Sequence, residues 1–138
     1  MSLNIVDIFR VDFRTSTEAD CLNASLQKAM RFDYRYQPAR LSLALSLSDE
    51  TPPPPVADAL GKPIRGETLF GQEEAELAVW IALIRETVDQ SDLSRKDLFD
   101  MVAAHWARGG KMLEQSLNAY DGDIQALMRE FVKTPLKT

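Results

Sequence analysis

Few side chains in this sequence are of a kind that performs nucleophilic or acid–base chemistry at neutral pH. His105 is the single histidine and Cys21 the single cysteine, and they lie far apart in the chain. This spacing gives no nucleophile–base pair, and two such residues are too few for a transition-metal cluster. His105 falls on the apolar face of an expected helix, which predicts a buried, hydrogen-bonded histidine. We therefore expect no enzyme activity, no metal and no cofactor, and a half-buried Cys21.

Two glycine-containing stretches have spacings that could suggest a ligand site. Glycines stand at positions 61, 66 and 71, but the chain has no Gly-Lys-Ser/Thr sequence, so this is not a P-loop. The five-residue interval suits turns, and Arg65 could bind an anion there or be an ordinary surface arginine. Asp121-Gly122-Asp123 lacks the remaining ligands of a calcium loop, and we expect Asp121 to cap a helix instead.

Arginines in the first third of the chain are the candidates for DNA phosphate contacts. Residues 1–40 carry six basic and five acidic side chains, whereas residues 41–138 carry ten basic and sixteen acidic ones. The net charge of -5 disfavours strong general binding to nucleic acid, which depends on neutralising phosphates. Any DNA contact is therefore expected in the first third, and the candidate residues are Arg10, Arg14, Arg31, Arg35 and Arg40.

Length and composition predict one folded domain in a reducing compartment. The chain has 138 residues, of which 45% are hydrophobic, enough for one core without disulfides. A single cysteine allows no intrachain disulfide. No apolar run approaches the roughly 20 residues that span a bilayer, so we expect a cytoplasmic protein.

Hydrophobic periodicity predicts a strand and two helices in residues 1–49. Ile8 to Phe13 alternates as a half-buried strand does. Thr15 and Glu18 form the sequence pattern of a capping box, which predicts a helix from Ser16 to Met30. A second, largely apolar helix is expected from Pro38 to Leu47.

This order is typical of a ribbon-helix-helix half, in which strands of two chains pair and enter the major groove. Arg10, Asp12 and Arg14 would then face the bases. An ordinary amphipathic strand packed on two helices remains the alternative.

The rest of the chain divides into a connector and a helical part. Residues 50–71 contain four consecutive prolines and three glycines, which predict a stiff connector followed by a loop. Residues 72–134 are expected to form a bundle of four helices. These helices are Gln72–Val88, Ser94–Arg108, Lys111–Tyr120 and one that follows the Asp121 cap, with Gly109-Gly110 ending or bending the second. The predicted fold is mainly α and a single domain over residues 1–138.

Three segments resemble the DndE family of DNA sulfur modification proteins. They are Ala39 to Ser48 (ARLSLALSLS) with the following TPPPP, Gly61 to Gly71 (GKPIRGETLFG), and Ala104 to Leu113 (AHWARGGKML). They occur in the family's order, and the resemblance extends from the first strand to the last helix.

The resemblance implies an accessory subunit of a bacterial system that replaces a non-bridging phosphate oxygen of DNA with sulfur. It implies a non-catalytic protein that assembles as a homotetramer, works beside other proteins of that system and binds nicked duplex through basic residues. The acidic total charge of this chain departs from that pattern and bears on direct DNA binding. Two other functions fit the residues: a ribbon-helix-helix transcriptional regulator or antitoxin, and an adaptor that binds only proteins.

Overall fold

A computed structural model describes residues 5–87 and 93–133, and in these ranges the protein is mostly helical with one small antiparallel sheet. The expected mainly α, single-domain fold is confirmed. The elements in chain order are α1 Ile5–Phe9, β1 Asp12–Phe13, α2 Thr17–Ala29, α3 Tyr36–Leu47, β2 Ile64–Arg65, α4 Gly66–Phe70, α5 Glu74–Glu86, α6 Arg95–Ala119 and α7 Ile124–Lys133.

The predicted first strand, Ile8 to Phe13, is wrong except at its last two residues. The chain from Ile5 to Phe9 is helical, and only Asp12 and Phe13 are extended. Ile8 is buried against the core, which a helix achieves as well as a strand does. β1 pairs with β2 of the same chain, with Phe13 opposite Ile64. The ladder seen here is therefore internal to one chain and is not a ribbon shared by two chains.

The predicted N-cap residue of α2, Thr15, is wrong. Ser16 is the N-cap, and its hydroxyl accepts a hydrogen bond from the Ala19 amide at 3.0 Å. Thr15 is fully buried and donates instead to the Ala103 carbonyl of α6 at 2.8 Å. Because the Thr15 hydroxyl is directed to α6 and Ser16 supplies the acceptor for the first turn of α2, Thr15 is not the cap. Both predicted helices are otherwise confirmed, since α2 and α3 differ from the expected ranges only at their ends.

Helix α6 runs from Arg95 to Ala119 through Gly109 and Gly110, so the prediction that this pair ends a helix is wrong. Both glycines are buried, and α3 packs along this part of α6. A Cβ at Gly109 would overlap the backbone oxygen of Ser42. The glycine therefore permits two helix backbones to approach closely, and this packing keeps α6 helical despite the low helix propensity of glycine.

The last two predicted boundaries also need correction. The segment from Gly66 to Phe70, expected as a loop, forms the short helix α4. Asp121 and Gly122 adopt left-handed backbone with φ of 53° and 77°, and the Asp123 side chain accepts from the Ala126 amide at 3.1 Å. Asp123, not Asp121, thus caps α7. The predicted positions Val88 and Thr134 lie outside the described residues.

Two apolar clusters fill the interior. The larger joins α1, the sheet, α3, α4, α5 and the first half of α6, and has Trp106, Phe13, Phe70 and Leu43 among its buried members. The smaller joins α2, the second half of α6 and α7 around Leu113. Within residues 5–87 and 93–133, no helix is both long and apolar enough to cross a bilayer.

The close approach of α3 and α6 predicts opposite effects for two adjacent alanine substitutions. Gly109→Ala should lower the free energy of unfolding by about 3 kcal/mol, because the clash is with backbone that cannot rotate away. Gly110→Ala is the matched control, since its Cβ would lie at an ordinary 3.4 Å from Leu22 Cδ2. This control should gain stability by up to about 1 kcal/mol from helix propensity. Urea unfolding of both variants measures the difference, and equal stabilities would contradict the proposed role of Gly109.

Candidate nucleic-acid interface

Three of the five candidate arginines lie along the segment from Gly61 to Leu69. Arg14 donates to the Gly61 carbonyl at 2.9 Å. Arg35 donates to the Lys62 and Pro63 carbonyls at 2.9 and 3.1 Å. Arg40 donates to the Thr68 and Leu69 carbonyls, both at 2.8 Å. The guanidinium groups therefore hold this irregular segment on the helices, because each supplies several donors in a fixed fork.

An ion pair fixes Arg35 more firmly than the other candidates. Its Nη2 atom lies 3.0 Å from Asp20 Oδ1, and both side chains are only about a quarter exposed. The other oxygen of Asp20 accepts from the Lys62 amide at 3.0 Å. Arg35 and Asp20 together hold residues 62–63 of the connector in place, and we call this pair the clamp. A phosphate that binds Arg35 would have to compete with the Asp20 carboxylate.

The clamp brings Lys62 and Arg65 close to the arginines of the first third. Both side chains are exposed, and Arg14 beside them is exposed as well. We call Arg14, Arg35, Lys62 and Arg65 the basic cluster. Three carboxylates adjoin it: Asp20 on Arg35, Glu67 at 3.9 Å from Arg65, and Asp12 opposite Arg65 in the ladder. Asp58, whose Oδ1 atom accepts from the Leu60 amide next to Gly61, is a fourth, so cations and carboxylates balance and this surface is close to neutral on an acidic protein.

The sequence analysis did not predict Lys62 as part of this surface. Its position beside Arg35 depends on a hydrogen bond between residues that are more than 25 positions apart in the sequence. The available signal was the combination of glycines and prolines with two cations in one irregular segment. Arg10 and Arg31, the remaining candidates, are exposed, and no described contact joins either of them to the cluster. Arg31 has a left-handed backbone conformation with φ of 58° at the turn after α2.

An aromatic pair stands next to these cations at the start of α3. The rings of Tyr34 and Tyr36 are stacked, with centroids 5.7 Å apart and planes inclined by 21°. The Arg40 guanidinium lies 4.6 Å from the Tyr36 ring centroid. Tyr34 is 61% exposed, so its outer ring face is open to a ligand. Such a surface, fixed from behind and bordered by arginines, suits stacking of an unpaired nucleobase.

His105 is a structural histidine, as predicted, and its tautomer follows from its neighbours. Arg108 Nε donates to Ser46 Oγ at 2.8 Å, so the Ser46 hydroxyl proton points to His105 Nδ1, also at 2.8 Å. Thr87 donates its own proton to the Ile84 carbonyl and accepts from His105 Nε2 at 3.1 Å. The ring is therefore neutral with its proton on Nε2.

The surroundings of His105 oppose a second proton. Burial, and then the nearby Arg108 cation, lower the pKa of His105 from 6.5 to about 4, while Asp49 raises it slightly. Ser46 and His105 are both fully buried, so a substrate cannot reach the hydroxyl–imidazole pair. The pair joins α3 to α6 and is not arranged for catalysis.

Arg108 continues this network to the start of the connector. It donates to the Ser46 and Thr51 carbonyls at 2.7 and 2.8 Å, and lies 3.8 Å from Asp49 Oδ2. Beyond it, a groove of about 610 Å³ runs between α2, α6 and residues 54–58. Its charged lining is of mixed sign, with Lys111 opposed by Glu18 and Glu114.

Cys21 is exposed on α2, which corrects the expected half-buried position. Across residues 5–87 and 93–133, no three His, Cys, Asp or Glu side chains are grouped so that they could hold a metal ion.

The low pKa of His105 predicts that stability falls on mild acidification. Between pH 6.5 and about 4 the unfolded chain binds a proton at His105 that the folded chain does not bind. The free energy of unfolding should therefore decrease as pH falls through this window, by up to about 3 kcal/mol, and be level above pH 6.5. Urea unfolding of the wild type and of His105→Gln between pH 7 and pH 4 measures this. The variant should be less stable at pH 7 but should lose less stability on acidification, and parallel curves would refute the assignment.

Comparison with known proteins gives one family match. The family model described as "DNA sulphur modification protein DndE" matches residues 12–121, which include the sheet, helices α2 to α6 and the whole basic cluster. No curated protein matches the chain.

Proposed function

Because the chain belongs to the DndE family of DNA sulphur modification proteins, we propose that it is a non-catalytic, cytoplasmic, homo-oligomeric subunit that docks the modification complex on DNA. Membership ties the chain to DNA sulphur modification, and docking is the role that its surface suits best. The observation that carries the proposal is that Arg14 and Arg35 bind the carbonyls of three consecutive residues, Gly61 to Pro63, which places Lys62 beside both arginines.

The phosphate contacts are assigned by exposure. Arg10, Arg14, Arg31, Lys62 and Arg65 are exposed and can reach a DNA backbone, and of these Arg14 also donates to the carbonyl of the buried Gly61. Arg35 and Arg40 already bond to carbonyl oxygens, so their main contribution is positive potential. Exposed cations of this kind bind DNA without reading its sequence, because phosphates carry the contact.

A non-catalytic role is supported by the burial of the single histidine and of the serine bonded to it. Ser46 and His105 have no exposed surface, and all their polar atoms are occupied by neighbours. The chemistry of sulfur insertion would then belong to other proteins of the system, with this chain contributing position and affinity.

An adaptor that binds proteins alone is the second candidate. The net charge of -5 favours it, since long-range repulsion opposes the approach of DNA to this chain. The docking subunit and the protein adaptor are distinguished by whether the purified protein binds DNA.

Loss of two exposed arginines should weaken DNA binding in a salt-dependent way. We expect Arg10→Ala/Arg14→Ala to lower affinity for a nicked duplex and to reduce the log–log salt slope by roughly one unit per lost phosphate contact. Arg129→Ala/Lys133→Ala on α7 is the matched control, because it removes the same charge from exposed positions outside the first third. Fluorescence anisotropy over a salt series measures both.

Equal losses in the two double variants would reject the site and leave only an effect of total charge. If the wild type binds no duplex, nicked or intact, at low salt, the docking proposal fails and the adaptor is favoured. A dimer with strong preference for one palindromic sequence would point to the regulator instead.

Tyr34 should provide preference for a nick over continuous duplex. A base beside a nick unstacks more readily and can be placed on the exposed Tyr34 ring. Tyr34→Ala should reduce affinity for nicked DNA by about tenfold while intact duplex is affected little. Tyr34→Phe keeps the ring and should retain the preference, and competition binding with both duplexes measures it. An unchanged ratio in Tyr34→Ala would exclude stacking at this residue.

A further inference from the structure

The four consecutive prolines of the connector, Pro52 to Pro55, form a stiff segment on the protein surface. Proline fixes its own φ at about −65° and restricts the preceding residue to extended backbone, so such a run adopts the polyproline II conformation. In this conformation residues three apart lie on one edge. Pro53 is buried and Val56 half-buried, whereas Pro52, Pro54 and Pro55 are exposed. One edge therefore rests on the protein, and the other two edges face solvent.

Side chains hold the proline segment at both ends. Before it, the Thr51 carbonyl accepts from Arg108 at 2.8 Å, and the Thr51 amide donates to Asp49 Oδ1 at 2.9 Å. After it, Asp58 Oδ1 accepts from the Thr17 amide of α2 at 2.9 Å. A segment that is stiff and fixed at both ends loses little conformational freedom when a partner binds it.

The backbone of the segment has hydrogen-bond acceptors left for a partner. Within residues 5–87 and 93–133, no hydrogen bond reaches the carbonyls of residues 52–57. Polyproline II ligands dock in grooves lined by aromatic side chains, and the Trp N–H or Tyr O–H of such a groove needs an acceptor when it is buried. Pro52 and Pro55 have the Pro-x-x-Pro spacing of these ligands. The exposed edges and the open carbonyls together match this mode of recognition.

The charges next to the segment are mainly acidic. Glu50 directly precedes it and is exposed, and the groove between α2, α6 and residues 54–58 runs along it. The carboxylates beside the segment and in this groove are Glu18, Asp49, Glu50, Asp58 and Glu114, and the cations are Arg108 and Lys111. Lys62 and Arg65 of the basic cluster come further along the chain. A partner surface that carries Lys or Arg at its rim therefore complements this one.

We propose that the two exposed edges of Pro52 to Pro55 are a polyproline II ligand for an aromatic-lined groove with a basic rim on another protein of the DNA sulphur modification system. This inference rests on the proposed function, since it names how the docking subunit is held by the rest of its complex. Pro52 and Pro55 are about 9 Å apart at about 3.1 Å per residue, which sets the spacing of the two aromatic pockets. The cations at the rim then lie opposite Glu50.

A photo-crosslinking side chain locates the contact. A benzophenone amino acid replaces Ala57, which is exposed next to the prolines, in the full chain produced together with the other proteins of the system. After irradiation, we expect attachment to one of those proteins within a peptide that contains Trp or Tyr. The same side chain in place of Val132, which is 86% exposed on α7, is the matched control and should not give this product.

Two proline variants distinguish direct contact from stiffness. Calorimetric titration of the crosslinked protein, once purified, with the full chain gives the dissociation constant. Pro52→Ala/Pro55→Ala should raise it by about tenfold, because both residues of one exposed edge are lost. Pro53→Ala also removes a proline, but from the edge that faces the protein, and should leave the affinity nearly unchanged. Circular dichroism melts verify that each variant is folded, and equal losses in the two variants would reject the assigned edges.

Charge reversal tests the basic rim. Glu50→Lys should weaken the same association by about threefold at low salt and make it less sensitive to salt. Glu86→Lys is the matched control, because Glu86 is exposed on α5 and the change in total charge is the same. Unchanged or tighter binding by Glu50→Lys would show that the partner groove has no basic rim.

The crosslinking outcomes separate the inference from the proposed function. A chain that co-purifies with the other proteins of the system but gives no product from position 57 overturns the proline contact and leaves the docking subunit standing. A product with DNA alone, or with a second copy of this chain alone, also overturns the proline contact. A chain that associates with no protein of the system and with no DNA overturns both.

Discussion

The close contact between α3 and α6 is the constraint on which the other features depend. Gly109 lets the Ser42 carbonyl approach the α6 backbone, and a buried hydrogen-bond chain from Arg108 through Ser46 and His105 to Thr87 lies beside it. A buried polar chain stabilises a structure only when each member has its partner. Here each hydroxyl, the imidazole and the guanidinium have defined donor or acceptor roles, so the register of the two helices is fixed as well as their distance.

The same arrangement determines where the irregular connector runs. Arg108 holds its beginning through Thr51, and the side chain of Asp58 holds its middle by accepting from the Thr17 amide at 2.9 Å. Arg14, Asp20 and Arg35 then hold Gly61 to Pro63. The arginines of the first third therefore have a structural role, and Lys62 and Arg65 owe their position beside Arg14 to it. If this surface docks DNA as proposed, it is preformed, which would lower the entropy cost of binding.

The net charge of the protein disfavours DNA binding, whereas the local group of cations favours it. The two effects do not conflict, because they act at different distances. A charge of -5 acts at long range and slows the approach of DNA, whereas phosphate contacts form at distances where individual cations dominate. A nearly neutral cluster of cations and carboxylates on an acidic protein would give only a modest, salt-sensitive affinity for DNA.

The amino-acid sequence by itself determined the helical class, the two helices α2 and α3, the structural character of His105 and the family. These depend on local periodicity, on residue type and on motifs within short stretches of chain. It did not determine that residues 5–9 are helical, that Thr15 bonds to α6 while Ser16 caps α2, or that α6 continues through Gly109. Nor did it bring Lys62 to the arginines. These features depend on tertiary packing. A side chain such as Thr15 can bond to either of two partners, and a glycine such as Gly109 can lie in a helix or in a turn. In each case the element that packs against the residue selects one of the two arrangements.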